Sequence, residues 1–125
     1  MSGDEIQLTL PADEAFHAVA HLVLGGLAVR LNLTFENLED LELALDALLE
    51  RAQTDNGVSL RVRLLDGELQ TTVGPFSSVR AELEDGGGDS LTLSRILGTV
   101  CDGYEIAERD GAEWVELTKR VETRA

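Results

Sequence analysis

The stretch VSLRVRLLDGELQTTV, residues 58–73, restricts the fold more than any other part of the chain. VSLRVRLL alternates, with Val58, Leu60, Val62 and Leu64 on one face and Arg61 and Arg63 on the other, the period of a strand buried on one side. Asp66-Gly67 follows, and the favoured two-residue hairpin turn needs positive φ at both central residues. ELQTTV is therefore expected to return antiparallel beside VSLRVRLL. Near the C-terminus YEIAE, the turn RDGA and EWVELTKRV repeat the arrangement, with Val115 and Leu117 inward. Two hairpins that are apolar on one face require a second layer to cover that face.

Helical segments supply that layer. IQLTL alternates with Ile6, Leu8 and Leu10 on one face, and Pro11 stops this first strand. Residues 12–31 then place Ala15, Phe16, Val19, Val23 and Leu27 at helical spacing, with Gly25 and Gly26 marking close packing or a bend. After the loop LNLTFEN, Asn37 is a candidate N-cap for a second helix whose buried face reads Leu38, Leu41, Leu45, Leu48 and Ala52. TDNG breaks it, and Gly57 suits a left-handed termination. GPFSSVRAELEDGGG, residues 74–88, is read as a loop holding a short helical turn. Asp89 or Ser90 caps a third helix, with Leu93, Ile96, Leu97 and Val100 on its apolar face. The order strand, helix, helix, hairpin, loop, helix, hairpin predicts an α+β two-layer sandwich, an antiparallel or mixed sheet with helices on one face. Residues 1–125 form one domain in this reading, with 121–125 as a short tail.

Charge narrows the function. The chain carries 24 acids against 10 bases, a net charge of −14, and residues 1–60 hold only Arg30 and Arg51 as bases. Such a field repels nucleic acid and anionic membrane surfaces and favours a basic protein partner. One cysteine, Cys101, excludes an intrachain disulfide and fits a reducing compartment as a buried, inert thiol. No cleavable leader opens the chain, and the longest apolar run, 18–29, is too short to span a bilayer, so a cytoplasmic location is expected. On the second helix Glu39, Glu42, Asp46 and Glu50 fall at spacings of three, four and four, which stacks four carboxylates on one side. His17 and His21 share a helical face and could hold a transition metal, but no third ligand is evident, so they read as polar helix residues. Ser77 and Ser78 lack a nucleophile elbow and read as loop serines. Trp114 points away from Val115 and Leu117, which suits either an interface or burial under a neighbouring element.

The order of elements, and the pieces IQLTLPADEAFHAVAHLVL, DLELALDALLE, SLTLSRILGTVCDGYEI and GAEWVELTKRV, resemble the ATP-binding domain of the anti-sigma-factor serine/threonine kinases. These are small switch proteins with the Bergerat, or histidine kinase-like ATPase (GHKL), fold. The resemblance covers nearly the whole chain and implies that fold. In the family the second helix carries a general-base Glu and, four residues on, an Asn that holds Mg²⁺. The resemblance puts Asp46 at the base position and Glu50 at the metal position. Of the adenine-binding box, an Asp followed by spaced glycines, Gly74 is the match, and no acid lies between Gln70 and Ala81. A missing buried hydrogen-bond partner costs roughly 1–3 kcal/mol. Of the glycine-rich phosphate turn GGGDSLTL, Gly88 is the match, with Glu82, Glu84, Asp85 and Asp89 crowding it.

Three altered boxes imply an eroded nucleotide site and a binding module without kinase chemistry. The expected partners are a sigma factor and an anti-anti-sigma (STAS-type) antagonist, with homodimers implied and no nucleic acid or membrane. No cofactor is expected, or Mg-ATP if the nucleotide site is retained. Two alternatives stand beside this one. One is a working ATP-dependent kinase with Asp46 as base, Glu50 on Mg²⁺, and Gly74 and Gly88 framing the nucleotide. The other is an unrelated small-molecule-binding α/β domain.

Overall fold

The computed structural model describes residues 5–11, 14–50, 57–76, 79–80, 83 and 93–121. The chain runs β1 (Glu5–Leu10), a 3₁₀ turn (Glu14–Phe16), α1 (His17–Leu31), α2 (Phe35–Leu49), β2 (Val58–Leu65), β3 (Glu68–Phe76), α3 (Leu93–Val100), β4 (Gly103–Arg109) and β5 (Ala112–Arg120). The five strands form one sheet in the order β1-β2-β3-β5-β4, and every neighbouring pair is antiparallel. The architecture is α+β, with an antiparallel rather than mixed sheet.

Both hairpins turn where the sequence places them. Asp66 and Gly67 have φ of 52° and 78°, and Asp110 and Gly111 have 53° and 78°, the paired positive values of the turn that matches strand twist. Gly57 also has positive φ, 85°, and a Cβ there would lie 2.5 Å from the Leu10 carbonyl oxygen. Glycine is thus required where the chain enters β2 beside the end of β1.

Alternation then decides the core. Leu60 and Val62 of β2, Leu69 and Val73 of β3, and Val115 and Leu117 of β5 are buried together with Leu24 of α1, Leu41, Leu45 and Leu48 of α2, and Leu93 and Leu97 of α3. The helices cover one sheet face, with α2 packed against both α1 and α3.

Three local expectations are corrected. The N-cap of α2 is Thr34, whose side-chain oxygen accepts from the Asn37 amide at 3.1 Å, so Phe35, Glu36 and Asn37 belong to the helix and not to the loop. A cap at Thr34 adds a turn and brings Glu36 to the positive helix end. The buried side of α1 is Ala20, Leu24, Leu27, Ala28 and Leu31, while Phe16 and Val19 are exposed. Apolar residues surround most of this helix, so their period does not select a face. β3 continues through Gly74, Pro75 and Phe76, and its register with β5 shifts between Val73 and Phe76. That irregularity accommodates a proline, which cannot donate to the ladder. Beyond it, Val79 and Arg80 are helical, and both amides donate to Glu113 Oε1 at 2.6 and 2.8 Å. The expected caps Asp89 and Ser90 lie outside the described residues.

The glycines supply a paired test. Gly57→Ala is expected to lose about 1–3 kcal/mol of unfolding free energy from strain and backbone contact. Gly26→Ala, in a helix where an added Cβ meets nothing within 4 Å, is expected to gain about 0.5–1 kcal/mol. Urea denaturation of the two variants beside the parent checks both signs.

Candidate functional site

The direction of each α2 side chain follows from its buried stripe. With Leu41, Leu45 and Leu48 against the sheet, a helical step of 100° per residue places Asp40, Ala44 and Ala47 on one flank and Glu42 and Asp46 on the other. The first flank faces α3: Asp40 pairs with Lys119, whose amine also donates to the Val100 carbonyl at the end of α3. The second flank faces α1. His21 Nε2 lies 2.7 Å from Asp46 Oδ1, and His21 Nδ1 lies 3.3 Å from Glu42 Oε2. Both ring nitrogens therefore meet a carboxylate, and a neutral ring can donate to only one of them.

Beside this triad α1 and α2 frame an open groove of about 1040 Å³. Its α1 wall includes His17, His21, Leu22, Gly25, Gly26 and Val29, and its α2 wall is Asp46 and Glu50. Leu22 and Val29 are 76% and 79% exposed, large values for aliphatic side chains, and the two glycines leave the wall between them flat. The groove is apolar along α1 and carboxylate-lined along α2.

The structure brings Asp46 and Glu50 into this one groove. Glu50 is the C-cap residue of α2, its amide bonded to the Asp46 carbonyl at 3.1 Å. Gly74 stands elsewhere: a Cβ there would lie 2.6 Å from the Trp114 ring, and Trp114 alternates with the inward Val115, so both belong to the sheet face away from the helices. Trp114 is half-buried there against its neighbour, and Arg109 lies over its ring at 6.0 Å. Gly88, Ser77 and Ser78 lie outside the described residues. His17 lines the groove, and among the described residues no group of three His, Cys, Asp or Glu could hold a metal ion.

Cys101 is buried at the end of α3, and burial pushes its thiol up to about 11; Lys119 opposes the rise and Asp102 and Asp40 add to it. A thiol held protonated is a poor nucleophile. No helix among the described residues is long and apolar enough to cross a membrane.

His21 as the partner of the acidic stripe was missed by the sequence reading. Its signal was present as two i, i+4 pairs, His17 with His21 and Glu42 with Asp46, on helices joined by a short loop.

Comparison with protein-family models gave no match, and comparison with curated proteins gave none. Among solved structures, the crystal structure of the RsbU and RsbW domains of Rv1364c from Mycobacterium tuberculosis superposes with a TM-score of 0.73 at 17% identity. The match covers 98% of this chain and 34% of that one, so this chain spans about a third of the neighbour's length. The likeness is one of fold.

Two outcomes are expected. A double-mutant cycle on His21→Ala and Asp46→Ala should give a coupling of about 0.2–1 kcal/mol, the range of exposed polar pairs. For Cys101 the folded thiol titrates above its unfolded value, so the unfolded chain releases its proton first. The contribution of Cys101 to stability is therefore complete below the unfolded pKa and is lost as pH rises towards about 11. Unfolding curves of the parent and Cys101→Ala across alkaline pH should show a steeper fall for the parent.

Proposed function

We propose that this chain is a regulatory protein-binding module in a sigma-factor switch, built on the Bergerat fold of the anti-sigma-factor kinases and without their phosphoryl-transfer chemistry. The fold-level likeness to the RsbU and RsbW domain structure supports the family, and so does the sequence resemblance over most of the chain. One observation carries the loss of catalysis. The carboxylate of Asp46, at the base-equivalent position, is bound at 2.7 Å to a histidine of the neighbouring helix. With Oδ1 engaged by the imidazole, a substrate hydroxyl would have to compete with His21 for this carboxylate, which weakens Asp46 as a general base. Glu50, at the metal-equivalent position, adds negative charge where a triphosphate would need it neutralised.

The partner is a basic, amphipathic segment, from a sigma factor or an antagonist of the anti-anti-sigma type, seated in the α1–α2 groove. Leu22 and Val29 supply apolar contact, Gly25 and Gly26 allow close approach of a backbone, and Asp46 and Glu50 face the partner's Lys and Arg. The charge of −14 hastens the encounter.

Thermal unfolding with millimolar Mg-ATP, beside equal Mg-tripolyphosphate, tests the loss of nucleotide binding. The midpoint with ATP should not exceed that with tripolyphosphate. A ligand at 100 times its Kd stabilises by about 2.7 kcal/mol, so an ATP-specific rise would be plain and would sink the reading. Purified sigma factors of the source cell, tested singly, should include one bound by the parent and bound at least about tenfold more weakly by Val29→Glu, a loss of about 1.4 kcal/mol.

A further inference from the structure

The sheet face away from the helices carries positively charged side chains on a strongly acidic molecule. Arg61 and Arg63 occupy successive outward positions on β2, and Arg109 ends β4. All three line a hollow of about 240 Å³ over the sheet, with Thr72, Thr118 and one carboxylate, Glu116. A second hollow, about 210 Å³, shares Arg61, Thr72 and Arg109 with the first and extends it over Ser59 to Trp114.

Each guanidinium is steadied by a neighbour that leaves it further donors. Arg61 Nε lies 3.5 Å from Glu5 Oε1, and Arg109 Nη2 lies 3.1 Å from Glu116 Oε2 with its guanidinium over Trp114. Arg63 differs. Its Nε donates at 2.9 Å to Gln70 Oε1, a neutral amide, and it meets no carboxylate among the described residues. In a chain where acids outnumber bases 24 to 10, three arginines converge on a hollow in reach of two carboxylates, Glu5 and Glu116. A guanidinium has five donors in a planar fork that matches a tetrahedral oxyanion. Arginines already fixed by neighbours lose little freedom on binding one.

We propose that this face is an oxyanion site, centred on Arg61, Arg63 and Arg109, that takes a small phosphate ester. Arg63 and Arg61 grip the phosphoryl oxygens from β2, Arg109 closes from β4, and the hydroxyls of Thr72 and Thr118 donate from the floor. The site is separate from the α1–α2 groove and does not depend on the function proposed for that groove.

Trp114, the chain's single tryptophan, lines the extended hollow and reports on it. Its fluorescence is followed as inorganic phosphate, glycerol phosphate or citrate is added at constant ionic strength. Both phosphates should give a saturable change, and citrate a weaker one. Arg63→Gln should raise the apparent Kd at least tenfold, while Arg120→Gln, on the same face outside the hollow, should leave it unchanged. Circular dichroism establishes that each variant is folded. No saturable change with phosphate, an equal response to citrate, or an equal loss in Arg63→Gln and Arg120→Gln would overturn the proposal.

Discussion

Leu60, Val73 and Val115 stand side by side on one face of the three central strands, all buried, and the helices can be placed only where they close over that row. Each such side chain contributes about 1.5–3 kcal/mol on removal from water. Lys119 occupies the next inward position on β5 after Val115 and Leu117, where an apolar residue would be expected. Its side chain, 12% exposed, continues the buried row, and its amine reaches Asp40 Oδ2 at 3.0 Å and the Val100 carbonyl at 2.8 Å. One cation thus ties β5 to α2 and satisfies the last turn of α3, where positive charge is favoured.

That packing divides the carboxylates of α2. Because the leucine stripe fixes the rotation of the helix, Asp40 is committed to Lys119 on the α3 side, and Glu42 and Asp46 to His21 on the α1 side. Glu39 and Glu50 remain exposed at the surface. Four carboxylates that share one stripe along the sequence thus have different surroundings in the fold. The Asp46–His21 contact also joins the two helices above the core, at the edge of the groove.

The legible parts were those decided by neighbours in the chain. The turns at Asp66-Gly67 and Asp110-Gly111, the inward sets on β1, β2 and β5 and the leucine face of α2 depend on local φ and on period, and the structure has them. Thr34 and Asn37 both satisfied the capping rule, and the extra turn gained from Thr34 decided between them. The face of α1 was obscure because Phe16, Val19, Leu22 and Val29 give it apolar residues on the exposed side as well. For the site, each helix face could be drawn alone, yet that the His21 face meets the Asp46 face depends on the angle at which two helices rest on a sheet. The arginine hollow was further out of reach. Arg61 and Arg63 pointing outward was readable, but Arg109 joins them only through the order β1-β2-β3-β5-β4, which places strands distant in sequence over one surface.

The two faces of the molecule therefore differ in net charge as well as in polarity. Arg61, Arg63, Arg109 and Arg120, four of the ten bases, share the open sheet face, where Glu5, Glu68, Glu105 and Glu116 roughly balance them. The net charge of −14 must then be carried elsewhere, and α2 bears Glu36, Glu39, Asp40, Glu42 and Asp46 without one base. A separation of this kind orients the molecule in the field of a charged partner before contact, which raises the rate of productive encounter more than the final affinity. In the proposed role a basic segment meets the helix side first, where Leu22 and Val29 can then supply apolar contact that charge alone does not.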